Sequence, residues 1–321
     1  MSDTQASIGD EEMVSEKKRR LDIRGLQSRS TEARRAQIII WAGIIVIALV
    51  TLLPLYWMLR VSLTHPPAIF QDPRSVLPPL WSIGNYMRVL GMVSAEEAVA
   101  LGGTGRALGF FQALRNSLIV TALITVAQVF FSACAAYAFA RLHFPFRDGL
   151  FSLYVGALMI PQIVIVIPNF ALVHGLGWLN TFAGIVAPYF FMTPLAVFFM
   201  RQFFVSVNKE LEESAYLDGA GRLTAAFRIV FPISTPALLT AAIIVSTTTW
   251  NEYLWMLVVG RDRAVRVLTV ALGIFRQQTP QGAPDWGGLM AGTMLAVVPI
   301  GVLFLLLGKH VVNAIGHTGF R

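Results

Sequence analysis

The sequence predicts an all-α integral membrane protein with six transmembrane helices and both termini in the cytoplasm. Three observations carry this expectation. The 321 residues are 55% hydrophobic and only 13% charged, where soluble domains carry roughly a quarter charged residues. The apolar residues gather into six runs of about 20 residues, the length that crosses a hydrocarbon core as a helix. Lys and Arg then concentrate in alternate connecting segments. A soluble protein of this size would still need a charged shell, so lipid takes the place of water around these runs.

Residues 1–36 are polar and carry Lys17, Lys18, Arg19 and Arg20 in a row. With no apolar stretch able to fold alone, they read as a disordered cytoplasmic tail. The first span follows at residues 38–59. It is longer than a signal-peptide core and no small-residue cleavage site follows it, so it reads as a retained anchor. Residues 37–112 thus comprise one transmembrane helix and an extracytoplasmic loop, and residues 113–308 a transmembrane domain. Its spans are expected at 117–140, 150–172, 178–200, 236–259 and 288–307, with 309–321 as a second cytoplasmic tail.

The third and fourth spans contain Pro161, Pro168, Pro188 and Pro194. Spanning helices tolerate such breaks where neighbours re-satisfy the freed backbone groups, which argues for a bundle. Small residues (Ser132, Ala133, Ala135, Ala136, Ala138, and the Gly288/Gly292 step) suit close helix approach, although such residues are also common in membrane helices generally. With the N-terminus inside, sixteen of the 25 Lys and Arg fall in inside segments, which sets the orientation.

Several function classes are excluded. The formal charge of +7 could suggest nucleic acid, but the basic residues flank apolar spans and form no stripe interleaved with aromatics. Cys134 is the only cysteine, so there is no disulfide framework. No nucleotide-binding loop is present; Gly308-Lys309-His310 is the nearest approach. Neither H-E-x-x-H nor G-x-S-x-G occurs, and the five histidines lack metal-ligand spacing. The expectation is no catalytic residue, metal or cofactor on this chain.

Glu252 is the one ionisable group inside a span. It serves a pathway, or it snorkels into the aromatic belt of Trp250, Tyr253 and Trp255. Thr249, Asn251, Glu252 and Tyr253 are the candidates for pathway or gating, extending a polar stretch from Ser246 through Thr248. Alternatively the Ser and Thr hydroxyls bond their own helix. An ion-coupled carrier usually shows several such charges and inverted repeats, and neither is evident.

The loop 201–234 between the fourth and fifth spans is the most informative segment. Residues 209–217 favour helix, Gly219 suits its C-terminal end, and a second helical stretch at 223–230 stops before Pro232. Glu210, Glu212, Glu213 and Asp218 outnumber Lys209 and Arg222. A helix lying on the anionic inner leaflet should be basic, so a protein groove is the better partner; a solvated connecting helix is the alternative.

Glu213-Ser214-Ala215, then Asp218-Gly219-Ala220, then Ile229-Val230-Phe231-Pro232 closely resembles the EAA loop of binding-protein-dependent ABC importer permeases. That pattern is E-A-A-x-x-x-G, nine residues, then I-x-L-P; here Ser214 and Phe231 depart from it. The resemblance runs from about Phe111 to the C-terminus. Asn116-Ser117-Leu118, Tyr137-Ala138-Phe139-Ala140-Arg141 with Phe144, Ile160-Pro161, Ile167-Pro168 and Trp250-Asn251-Glu252-Tyr253 are similar to the carbohydrate-uptake branch, maltose-type second subunit. The resemblance implies a type I ABC importer permease fold in the bacterial plasma (inner) membrane. It also implies a heterodimer with a second permease, two cytoplasmic ATPase subunits that hold the ATP and Mg, an extracytoplasmic substrate-binding protein, and a sugar or oligosaccharide as cargo. The ATPase would dock on Glu213, Ser214, Ala215, Asp218, Gly219 and Ala220. The outer loop is longer than the pattern around residues 91–109, with no role implied. The rival reading is an ion-coupled secondary transporter acting alone, which has no use for an acidic docking loop.

Overall fold

The computed structural model describes Arg34 and residues 36–72, 74–277, 279 and 282–318. Apart from Arg34 and Ala36, the expected N-terminal tail lies outside the described residues. Two units are distinguished, residues 1–58 and 59–321. Among the described residues there is no strand, only an isolated bridge between Thr64 and Trp81.

Three helices are long and apolar enough to cross a membrane alone: α1 (Ala36–Ser62), α4 (Phe110–Arg141) and α15 (Trp286–Thr318). Every residue of α1 from 36 to 57 is exposed, a surface that only lipid or another apolar chain would cover. Helix α15 continues to Thr318, through most of the segment expected as a tail. Two short helices, α2 (Gly84–Leu90) and α3 (Ala95–Ala100), fill the outer loop. Helix α3 starts on a capping box, in which Ser94 Oγ accepts the Glu97 N–H and the Glu97 carboxylate accepts the Ser94 N–H.

The other spans are bent, where the sequence reading drew continuous ones. Helix α5 (Arg147–Gly156), extended by a 3-10 turn to Met159, meets α6 (Gln162–Gly175) at 97°. Helix α7 (Phe182–Val186), extended to Tyr189, meets α8 (Pro194–Ser206) at 45°. Pro161 and Pro194 stand at these breaks, because proline cannot donate the backbone bond that would continue a helix. Pro168, by contrast, is carried inside α6.

After α9 (Glu210–Leu217), the chain runs through α10 (Arg222–Ala225), a π turn (Ala226–Val230) and α11 (Phe231–Ile233). Pro232 cannot bond the Arg228 carbonyl four residues back, and the ladder widens just before it. A 77° bend at Ser234 then opens α12 (Thr235–Asn251), followed by α13 (Leu254–Val259) and α14 (Leu268–Ala271).

Helix α4 is the axis of the second unit, for its residues enter all three apolar clusters. Phe110 and Ala113 pack with Trp250, Leu268 and Phe275. Val120 and Ile124 pack with Ile185, Trp255 and Met256. Ala133, Ala136 and Tyr137 pack with Val197, Met200, Phe204 and Val230. The same helix repairs the break in the fourth span. Gln128 Nε2 donates to the Tyr189 carbonyl at 2.7 Å, and Ser132 Oγ accepts the Thr193 N–H at 3.1 Å. Tyr154 Oη from α5 donates to the Met192 carbonyl at 2.9 Å. The freed backbone groups are thus satisfied from neighbouring helices.

The outer loop is locked by a buried polar network. The Arg88 guanidinium pairs with both oxygens of Asp285 at the start of α15 and donates to Asn85 Oδ1. Asn85 Nδ2 in turn donates to the Ser62 and Thr64 carbonyls, both at 2.8 Å. Glycines allow this closeness. A Cβ at Gly103 would overlap the Arg88 guanidinium, and one at Gly287 would lie 2.7 Å from the Asn85 amide. The Gly288/Gly292 step is used within the chain: a Cβ there would press on Phe275 and Leu272.

Candidate functional site

The 201–234 loop folds as a helix, a tight glycine turn and a second helix. Asn208 Oδ1 accepts the Glu210 N–H at 3.0 Å, which starts α9. Its C-terminal end is a Schellman turn. The Ala220 N–H bonds the Ala215 carbonyl, the Gly219 N–H bonds the Tyr216 carbonyl, and Gly219 takes φ +85°. A side chain is strained at that φ, which is why the glycine stands there.

The structure places the expected docking residues together on this turn. Glu213, Ser214, Asp218 and Gly219 are exposed; Ala215 and Ala220 are half-buried. Ser214 Oγ bonds back to the Leu211 carbonyl. Alongside them stands an apolar group: Leu217 is 89% exposed, and Leu211 and Leu223 are also open. The exposed face is therefore a leucine knob ringed by Glu213 and Asp218.

Glu212 corrects the charge argument. Its charge alone groups it with Glu210, Glu213 and Asp218, yet it is the one buried residue of α9. Its Oε1 lies 2.8 Å from Arg141 Nε at the end of α4, a charge contact in which the N–H is angled off the oxygen. Its Oε2 accepts from Tyr137 Oη at 3.0 Å. Arg141 Nη2 donates to the Val207 carbonyl at 2.5 Å. Tyr137 also packs edge-on against Phe231, beyond the π turn. Tyr137 and Arg141 belong to a run already noted for its resemblance; their partner was not legible, because pairing between distant segments leaves no local pattern.

A cavity of about 340 Å³ lies between α4, the α5–α6 and α7–α8 breaks, α12 and α13. Its polar lining is Gln128, Gln162, Tyr189, Thr193, Thr248, Thr249 and Glu252. Of the four expected pathway residues, Thr249 and Glu252 line it, whereas Asn251 and Tyr253 lie outside. Asn251 Nδ2 instead bonds the Thr247 carbonyl of its own helix, and Thr248 Oγ1 likewise bonds the Ile244 and Val245 carbonyls. Glu252 ends α12, and its Oε1 accepts the Trp255 N–H at 3.0 Å, capping α13 across the break. The glutamines and Thr193 were missed, since each is a lone polar residue in an apolar run. Among the described residues no cluster of metal-ligating side chains occurs.

Known proteins share this architecture. The chain is 33% identical over 277 residues to the probable ABC transporter permease protein YurM of Bacillus subtilis, covering 86% of each chain. It is 31% identical over 280 residues to the trehalose/maltose transport system permease protein MalG of Thermococcus litoralis, covering 87% of this chain and 95% of that one. Its fold matches a chain from the crystal structure of a bacterial ABC transporter involved in the import of the acidic polysaccharide alginate. That match has a TM-score of 0.70 at 21% identity, over 86% of this chain and 96% of that one. The all-helical arrangement is thus the type I ABC importer permease fold. The profile of one family, described as the binding-protein-dependent transport system inner membrane component, matches residues 128–317. That stretch is over half of the chain and takes in both the acidic loop and the polar cavity, so this multi-pass membrane protein belongs to that family and is a transport component.

Proposed function

We propose that this chain is one of two permease subunits of an ATP-driven importer in the bacterial plasma membrane, with a sugar or oligosaccharide as its cargo. The observation that carries the reading is α9. It is a short acidic helix ended by a rigid Schellman turn, with Leu217 standing 89% exposed beside Glu213 and Asp218. A bare leucine knob ringed by acids suits a groove on another protein. The partner is a cytoplasmic ATPase, two copies of which hold the ATP and Mg. In this reading α9 and both chain termini face the cytoplasm, and the loop holding α2 and α3 faces an extracytoplasmic binding protein.

Two considerations support a sugar. Relatives carry names such as trehalose/maltose and arabinooligosaccharides transport system permease. The cavity offers amides and hydroxyls with one carboxylate and no Lys or Arg in its lining, a surface matched to an uncharged, hydroxyl-rich solute. The second permease would complete the pathway along the faces this chain leaves open.

Co-purification from native membranes tests the reading. Wild type should bring down an ATP-hydrolysing subunit and a second permease. The assembly, with its binding protein, should drive ATP-dependent uptake of radiolabelled trehalose or maltose into proteoliposomes. Uptake by the purified chain alone would support the ion-coupled alternative instead.

A further inference from the structure

We infer that the buried Glu212–Arg141 pair is a strut that transmits displacement of α9 to α4; the inference rests on α9 being the docking helix. Helix α9 has a single buried residue, Glu212, and its carboxylate makes the shortest side-chain contacts between α9 and α4. The carboxylate is held from two sides by residues on one turn of α4: Arg141 Nε at 2.8 Å and Tyr137 Oη at 3.0 Å. Arg141 simultaneously clamps the Val207 carbonyl just before α9. The Tyr137 hydroxyl lies 3.4 Å from both the Tyr216 hydroxyl and the Arg222 carbonyl. Residues before, within and after α9 therefore converge on the last turn of α4.

Ions are a specific choice here. Apolar groups of similar volume would stabilise the contact as well or better, but they are non-directional and slide. The Glu212 carboxylate is held at once by the Arg141 charge and by the directional bond from Tyr137 Oη, so a pull on α9 is resisted at a fixed distance and passes on. Helix α4 is the appropriate receiver. It enters all three apolar clusters, and its Gln128 lines the cavity and holds the Tyr189 carbonyl at the break in the fourth span. Glu212, Tyr137 and Arg141 are positioning residues: they act through α4 and touch no solute.

Hydrogen–deuterium exchange on the purified full complex, free and trapped with ATP and vanadate, tests the strut. In wild type, trapping should change exchange both in α9 and in the turn 141–147 after α4. In Glu212→Gln the ATPase should stay bound and the α9 change persist, while the change at 141–147 is lost. Should an unpaired Arg141 unfold the loop, the double variant Arg141→Met/Glu212→Leu fills the same space without charge, and it should show the same split. A wild-type response at 141–147 in either variant overturns the strut, as does a wild-type complex in which only α9 responds. Loss of the ATPase from both variants also overturns it, because the pair would then shape the docking face. A wild-type chain that retains no ATPase at all ends the docking reading itself.

Discussion

Glu212 and Arg141 bring opposite charges to 2.8 Å from two segments that the sequence separates by two further spans, and both side chains are almost fully buried. Removing one partner of such a pair strands a charge away from water, at a cost of about 3–5 kcal/mol, whereas an apolar pair of similar volume is near neutral. Arg141→Met should therefore lower the melting temperature of the purified complex markedly, and Arg141→Met/Glu212→Leu should restore most of it. A double variant as unstable as the single one contradicts this reading of the contact.

The turn at Gly219 predicts a graded series. A Cβ there meets open space, so only the φ of +85° penalises a side chain, by roughly 1–2 kcal/mol for an ordinary residue and less for asparagine. ATPase recovered per permease should fall in the order Gly, Asn, Ala, Val. An unchanged yield for Gly219→Val would show that the turn is not needed for docking.

Leu217 separates binding from folding. Because its side chain is exposed and free of tertiary packing, Leu217→Asp should leave the melting temperature of the isolated chain unchanged. Affinity for the ATPase should drop at least about tenfold, or ~1.4 kcal/mol, read by titrating the purified subunits. Equal affinity would move the docking surface elsewhere.

Two glycines should differ in what alanine costs. At Gly292 the added carbon meets the far end of Leu272, a side chain able to shift; at Gly103 it meets the Arg88 guanidinium, which Asp285 and Asn85 hold in place. Gly103→Ala should cost about 1–3 kcal/mol by overpacking, and Gly292→Ala distinctly less, in thermal unfolding of the solubilised protein.

Glu252 caps α13 through one carboxylate oxygen, a bond that an amide oxygen also accepts. Glu252→Gln should fold and express as wild type, while Glu252→Leu should lose about 1 kcal/mol of stability with the cap. Comparing the two in an uptake assay then isolates the charge from the cap. Equal stability of both variants would mean the cap contributes nothing.

The sequence by itself determined the membrane class, the places where apolar runs begin and end, and the short acidic helix closed by Gly219. Each of these is a local property: length of an apolar run, charge along one helix, a glycine where φ must be positive. It also located Pro161 and Pro194. What it could not contain is which neighbour answers each break. Gln128, Ser132 and Tyr154 complete the fourth span from other helices; along the chain Gln128 and Tyr154 are unremarked, and Ser132 stands out only as a small residue. The same holds at the site. Glu212 looks like its neighbours Glu210 and Glu213 along the chain, and only the approach of the α4 end, with Arg141 and Tyr137, makes it a buried anchor while they stay in the open. Asn251 and Tyr253 stood equal to Thr249 and Glu252 in sequence, yet only Thr249 and Glu252 line the cavity, while the Asn251 amide bonds the Thr247 carbonyl of its own helix. Propensity and hydrophobic pattern are written residue by residue, whereas pairing across the bundle is settled only when the helices pack and every buried polar group must find its partner.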